Sequence, residues 1–309
     1  MTALQGVFPV LPTPFKADGT VDPDAMGPLV EFVVDAGADG VVYPGMASEV
    51  ETLSPDERLQ MVGTVGAALA GRLPLIVGAS DADPARAAAR AEEGRAVGAR
   101  SAMIMAPNRC GSDIAAHIAF YGAVAAGTSL PIMLQNAPAP MGAGLSPEQV
   151  VEIVRGVSQI RFVKEETLPC GQHVSALLAG VGDRLDGVFG GAGARYLMDE
   201  LARGAAGTMP AAELTDVHVA IVRAHRAGDT ATARRLYART LPLLMFQAVF
   251  RVRLTKAVLA ARGLIASRHA RAAGPRFDEH DEAECAALIA DAADLFTRHP
   301  VRTRSHAAA

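Results

Sequence analysis

The stretch Ile160-Arg161-Phe162-Val163-Lys164-Glu165-Glu166-Thr167 begins apolar and β-branched and ends in a lysine and two glutamates. It reads as a short strand. Side chains along a strand alternate between faces, so Phe162, Lys164 and Glu166 share one face and Val163 and Glu165 take the other. Lys164 and Glu166 then stand roughly 7 Å apart at Cα and point the same way. A lysine enclosed by apolar groups loses hydration, which disfavours its ammonium form and makes it a nucleophile towards carbonyl carbon. An acid beside it supplies what a lysine that condenses with a ketone needs for proton transfer. A solvated strand end with an ordinary lysine–glutamate pair would have the same sequence, so the surroundings must decide.

On both sides of this strand the chain alternates. Residues 6–14, 38–44, 73–79, 101–107, 131–136, 160–167, 185–189 and 206–209 read as strands, with Pro9 weakening the first ladder. Helical spacing fills the intervals. Asp22 is placed to cap a helix over 22–35 with Pro23 at its first position, and Ser54-Pro55-Asp56-Glu57 is a capping box. Further helices are expected over 84–97, 113–126, 146–157, 172–179 and 194–203, with another following the eighth strand to about 227. Gly37, Gly98 and Gly204 each fall where a helix stops and a strand begins, a position that tolerates left-handed backbone.

Eight such units predict a (β/α)8 barrel over residues 1–228. A doubly wound sheet would place a glycine-rich dinucleotide fingerprint after an early strand. Gly190-Gly191-Ala192-Gly193 comes late and lacks that spacing. Residues 229–309 change to helices only, over 230–241, 243–262 and 281–298, with a loose tail from 301. They are expected to pack on the barrel as an extension, because no Pro/Ser/Gly linker separates them.

Composition excludes several classes. Of 309 residues half are hydrophobic and 30 are glycine, enough for a sizeable core, and the net charge of −4 comes without a basic block that would suit nucleic acid. Cys110, Cys170 and Cys285 are an odd, widely spaced set that fits a reducing compartment and shows no metal-type spacing. The eight histidines are scattered; His218 and His225 share a helix face and read as surface or packing residues. No basic-then-apolar leader and no membrane-length apolar run appears, so a cytoplasmic protein with no membrane association, no cofactor and no metal is expected.

In a (β/α)8 barrel the reactive groups sit at the carboxyl ends of the strands. Those ends carry Thr13, Gly45 to Glu49, Gln135-Asn136, Lys164 to Glu166 and Gly190-Gly191, and Lys164 is the only lysine among them. The chain has just two others, Lys16 and Lys256. Thr13 and Ser48 could cap a helix or bond a ligand. Gln135 and Asn136 could bond hydroxyls or support a turn, and Gly191 could offer N–H to an anion or simply turn the chain.

Thr13-Pro14-Phe15, Gly45-x-x-x-Glu49, Asn136-x-Pro138 and Lys164-Glu165 together resemble the dihydrodipicolinate synthase/N-acetylneuraminate lyase family of class I aldolase-type barrels. The likeness extends over nearly the whole chain, the added helices included. It implies that Lys164 forms a Schiff base with a 2-keto acid. It implies too that the carboxylate of that acid is held by backbone N–H groups and a hydroxyl in the loop of Gly45, Met46, Ala47 and Ser48. It further implies a homo-oligomer, a dimer or a tetramer.

Departures from the family pattern concern proton transfer. Gln135 stands where pyruvate-handling members carry a tyrosine, Asn108-Arg109 follow strand four where the synthase branch has another, and Met46-Ala47 replace a Thr-Thr pair. Glu166, on the face of Lys164, is the obvious substitute. Gly-Met-Ala-Ser-Glu, Gln-Asn-Ala-Pro, Lys-Glu-Glu, Phe-Gly-Gly-Ala-Gly and Thr-Met-Pro are similar to the L-2-keto-3-deoxyarabonate dehydratase branch. That likeness implies dehydration of a 2-keto-3-deoxy sugar acid. Two alternatives stand beside it: a retro-aldol lyase releasing pyruvate, and a non-catalytic keto-acid-binding barrel.

Overall fold

The computed structural model describes residues 4–297, so the tail expected from 301 and the last residue of the final expected helix lie outside the described residues. Eight parallel strands follow one another: β1 (Gly6–Val7), β2 (Val41–Tyr43), β3 (Leu75–Gly78), β4 (Ala99–Met105), β5 (Ile132–Asn136), β6 (Ile160–Glu165), β7 (Gly187–Gly190) and β8 (Gly207–Thr208). Each pairs with its neighbour from β2 to β8, and β8 pairs with β1. Val10 closes the ring by bridging to both Val42 and Ala211. β1 is short because Pro9 has no N–H to give; its carbonyl still accepts from Val42 N at 2.9 Å.

Around the barrel run α1 (Met26–Asp35), α2 (Pro55–Leu69), α3 (Pro84–Ala96), α4 (Ile114–Gly127), α5 (Pro147–Gly156), α6 (Cys170–Val181), α7 (Leu197–Ala202) and α8 (Thr215–Arg226). Local chemistry sets many of their ends. Ser54 and Ser146 each form a capping box, with Glu57 and Gln149 respectively. Gly37, Gly98 and Gly204 all have positive φ where a helix gives way to a strand. Asp22 does not start α1 as expected. Its carboxylate accepts from Ala25 N at 3.4 Å within a turn, and the helix begins at Met26.

Two apolar layers build the core. Inside the ring, Phe8, Val10, Val42, Ile76, Met103, Met133, Phe162, Phe189 and Met209 fill the lumen, as alternate residues of barrel strands must. Between sheet and helices lies the larger layer, which includes Leu29, Val41, Val77, Ile104, Leu134 and Val163.

The extension consists of α9 (Thr230–Phe250), α10 (Val252–Ala261) and α11 (Glu279–Ala292). α9 passes through Pro242 rather than stopping there. A proline costs one helical hydrogen bond, and burial of Leu243 and Leu244 immediately after it outweighs that loss. The break falls instead at Arg251, with φ of 49°. Residues of α7 to α11 share one apolar cluster, Leu197, Val217, Leu244, Leu254, Val258 and Cys285 among them. All three cysteines are free and buried, and no helix among the described residues is long and apolar enough to cross a membrane.

Candidate active site

A cavity of about 580 Å³ opens at the carboxyl ends of the strands, within the range of small-molecule sites. Strand parity decides who faces it. Lys164 continues the inward row of Phe162, is 4% exposed, and reaches the cavity with Glu166. Its Nζ lies 3.3 Å from Glu166 Oε1. Gln135, beside Lys164 in the ladder, donates from Nε2 to Glu166 Oε2 at 2.6 Å. Ala192 N–H donates to Glu166 Oε1 at 3.2 Å. The carboxylate is thus held from three sides.

Gly191 supplies space rather than a contact. A Cβ there would lie 2.5 Å from both Cγ and Oε1 of Glu166. No tyrosine lines the cavity among the described residues. Tyr43 meets Thr13 at 3.0 Å in the interior, Tyr121 donates to Ile104 O, and Tyr237 donates to Arg195 O.

The loop after β2 presents Gly45, Met46 and Ala47 to the cavity. Gly45 N–H already donates to Ser48 Oγ at 2.8 Å, while no protein acceptor among the described residues takes the N–H of Met46 or Ala47. Three side chains expected to reach a ligand are engaged elsewhere. Ser48 Oγ donates to Leu11 O at 2.5 Å and Thr13 Oγ1 to Ser48 O at 2.6 Å, so both hydroxyls tie the loop to the segment after β1. Asn136 pairs with Glu165 in the ladder and shares its outward face. Its amide donates to Leu145 O at 2.9 Å and Glu165 Oε2 at 2.8 Å, and its Oδ1 accepts from Leu145 N.

Glu165 also accepts from Thr167 N at 2.7 Å, and burial holds its carboxyl above the usual range despite these donors. Behind β7, Glu200 of α7 fills the space over Gly190, where a Cβ would lie 2.0 Å from Oε2. Neither Glu200 oxygen has a hydrogen-bond partner among the described residues. Burial, reinforced by Glu166, Asp199 and Glu165, pushes its carboxyl up to about 8.

Two features have no counterpart in the sequence reading. Glu49 is fully buried and joined to Lys256 of α10 at 2.5 Å; Lys256 also donates to His269 O at 2.7 Å and lies over the Phe15 ring. Glu49 Oε2 accepts from Ala272 N at 2.6 Å. Burial brings the Lys256 ammonium down to about 8 against the pull of Glu49. The extension therefore anchors the β2 loop. It also roofs the cavity, through Gln247 to Arg253 and through residues 272–275. A lone lysine in the apolar run of α10 was the one available signal.

Comparison with known proteins bears out the barrel fold and identifies the family. Residues 3–292 match the model of the Dihydrodipicolinate synthetase family. An L-2-keto-3-deoxyarabonate dehydratase of Azospirillum brasilense is 32% identical over 288 residues, which are 92% of this chain and 93% of that protein. A 4-hydroxy-tetrahydrodipicolinate synthase of Geobacter metallireducens is 31% identical over 250 residues, 77% of this chain and 81% of that one. Among solved structures, dihydrodipicolinate synthase from Rhodopseudomonas palustris superposes with a TM-score of 0.86 over 93% of this chain and 97% of its own, at 24% identity.

Proposed function

The chain belongs to the dihydrodipicolinate synthetase family and is a class I aldolase-type lyase, and on that premise we propose that it dehydrates a 2-keto-3-deoxy sugar acid through a Schiff base on Lys164. The observation that carries the proposal is the Lys164–Glu166 pair, 3.3 Å apart in a cavity that no tyrosine among the described residues lines. A family lyase must move a proton beside its imine, and Glu166 is the acid within reach.

The substrate carboxylate takes the free N–H groups of Met46 and Ala47. Lys164 Nζ, as the neutral amine, adds to the C2 carbonyl and water leaves, giving an iminium. This electron sink acidifies C3, Glu166 removes a C3 proton, and an enamine forms. Protonated Glu166 then returns its proton to the C4 hydroxyl, which departs as water and leaves an unsaturated iminium. Hydrolysis frees Lys164, and tautomerisation of a five-carbon product gives a 2-ketoglutarate-semialdehyde-type keto acid. Acid–base assistance of this type contributes about 10²–10⁴-fold. Gln135 and Ala192 N–H orient the carboxylate for both proton transfers.

The similarity to the Azospirillum dehydratase supports a substrate like L-2-keto-3-deoxyarabonate. Retro-aldol release of pyruvate is the competing outcome. Borohydride reduction with a 2-keto-3-deoxy pentonate, read by mass spectrometry, is expected to mark Lys164, and the unreduced reaction to yield a five-carbon dioxo acid. Free pyruvate would replace dehydration with cleavage; no adduct with any keto acid would favour a binding protein. We also propose a cytoplasmic homo-oligomer, dimer or tetramer. The exposed apolar side chains of Leu59, Leu168, Met245 and Val249 support self-association, and light scattering of the eluting protein tests it.

A further inference from the structure

The keto-acid chemistry occupies the lumen end of the cavity and leaves its roof unassigned. That roof is basic. Arg195 comes from the turn after β7, Arg251 from the break between α9 and α10, and Arg253 from the first turn of α10, and all three line the cavity. Among the described residues they set three guanidinium groups against two lining carboxylates, Glu166 and Glu51.

Other arginines on this side of the molecule are paired, Arg271 with Glu57, Arg268 with Glu282 and Arg262 with Asp216. Among the described residues the three at the roof form no ion pair, and their hydrogen bonds go to neutral groups. Arg195 Nη1 donates to Gln247 Oε1 at 3.3 Å, Arg251 Nη2 lies 3.3 Å from Met141 Sδ, and Arg253 Nη2 donates to Ala272 O at 2.7 Å.

Arg195 is deliberately placed. Gln247 donates from Nε2 to Glu213 at 2.8 Å, which fixes its amide so that Oε1 must face the guanidinium. Gly193 turns the chain at φ of 65°, and a Cβ there would lie 2.8 Å from that Oε1 and 3.0 Å from Arg195 Nη1. The guanidinium is partly buried, and burial together with neighbouring Arg251 works against its charge. Arg251 holds a left-handed φ that a non-glycine residue adopts only against resistance. Two guanidinium groups kept close at the roof, that of Arg195 partly buried and that of Arg251 exposed, neither in an ion pair among the described residues, repel each other, and a bound anion relieves that repulsion.

We propose that Arg195 and Arg251 form a second anion subsite, so that the substrate is a dianion with one carboxylate at the Met46–Ala47 turn and a second anionic group at its far terminus. The inference rests on the dehydration reading, keeps its chemistry at C2 to C4, and departs from the arabonate-like substrate and its semialdehyde product at the far terminus. The terminus is a carboxylate or a phosphate, in place of the neutral hydroxymethyl group of 2-keto-3-deoxyarabonate. Arg253 extends the basic wall.

Three 2-keto-3-deoxy acids differing only at that terminus, hydroxymethyl, carboxylate or phosphate, test it by steady-state kinetics and by borohydride trapping at Lys164. A charged terminus is expected to raise kcat/KM roughly tenfold or more over the neutral one, the size of one charge-assisted contact. Which of the two charged acids leads identifies the group. Raising ionic strength, or combining Arg195→Gln with Arg251→Gln, should bring the charged-to-neutral ratio down towards one. Equal kcat/KM for neutral and charged acids, with trapping intact, overturns the subsite and leaves dehydration standing. Absence of an adduct with all three overturns both.

Discussion

Replacing Glu200 by glutamine should remove a pH dependence of stability that the wild-type chain carries. The folded protein holds the Glu200 proton up to about pH 8, because the carboxyl is buried near Glu166 and Glu165, whereas an ordinary glutamate releases it near 4.5. Its stabilising contribution is therefore complete below pH 4.5, falls as pH rises, and levels off beyond pH 8. Over that interval of about 3.5 pH units the loss has a ceiling of ~5 kcal/mol. Buried His218, brought down to about 4 by loss of hydration, works in the opposite sense. Its neutral form is favoured on folding, so stability falls as pH drops from 6.5 towards 4. Between pH 6.5 and 8 only Glu200 of these two still changes, and the expected change is about 2 kcal/mol.

Urea unfolding of both proteins at pH 6.5, 7.2 and 8.0 measures this directly. The amide brings unpartnered N–H groups of its own, so its absolute stability is not the readout. The difference between the proteins is, and it should move by about 2 kcal/mol in favour of Glu200→Gln across the window. Parallel curves for the two proteins would refute the reasoning. Glu200 would then be ionised in the folded state at pH 6.5, with a donor for its charge.

Lys256→Met leaves the Glu49 carboxylate buried without its ammonium and should cost about 3–5 kcal/mol in urea unfolding. Adding Glu49→Gln should return part of that loss. Gly191→Ala forces the Glu166 carboxylate from its place; kcat should fall on the order of 10²-fold while the unfolding midpoint barely moves, which stopped-flow assay and thermal melting separate. Asn136→Ala strips bonds from Glu165 and from both backbone groups of Leu145, and is expected to lower stability by about 2–3 kcal/mol, seen as a lower urea midpoint.

What could be read without coordinates was whatever depends on neighbours in the chain. The alternation of Phe162, Lys164 and Glu166 follows from a two-residue period, and the Ser54 and Ser146 caps from a three-residue reach, so the barrel and its central lysine were legible. Side chains whose partners come from other strands were not. Asn136 carries the same amide whether it faces ligand or Glu165, and only the ladder register turns it outward. The hydroxyls of Thr13 and Ser48 are engaged because barrel closure brings the segment after β1 beside the β2 loop. Glu49 and Lys256 are 207 residues apart, and Arg195 meets Gln247 across 52. No periodicity carries that information. Those contacts exist because a ring of eight strands must close and an apolar extension must bury itself against it, and this packing set the roof of the cavity and its charge.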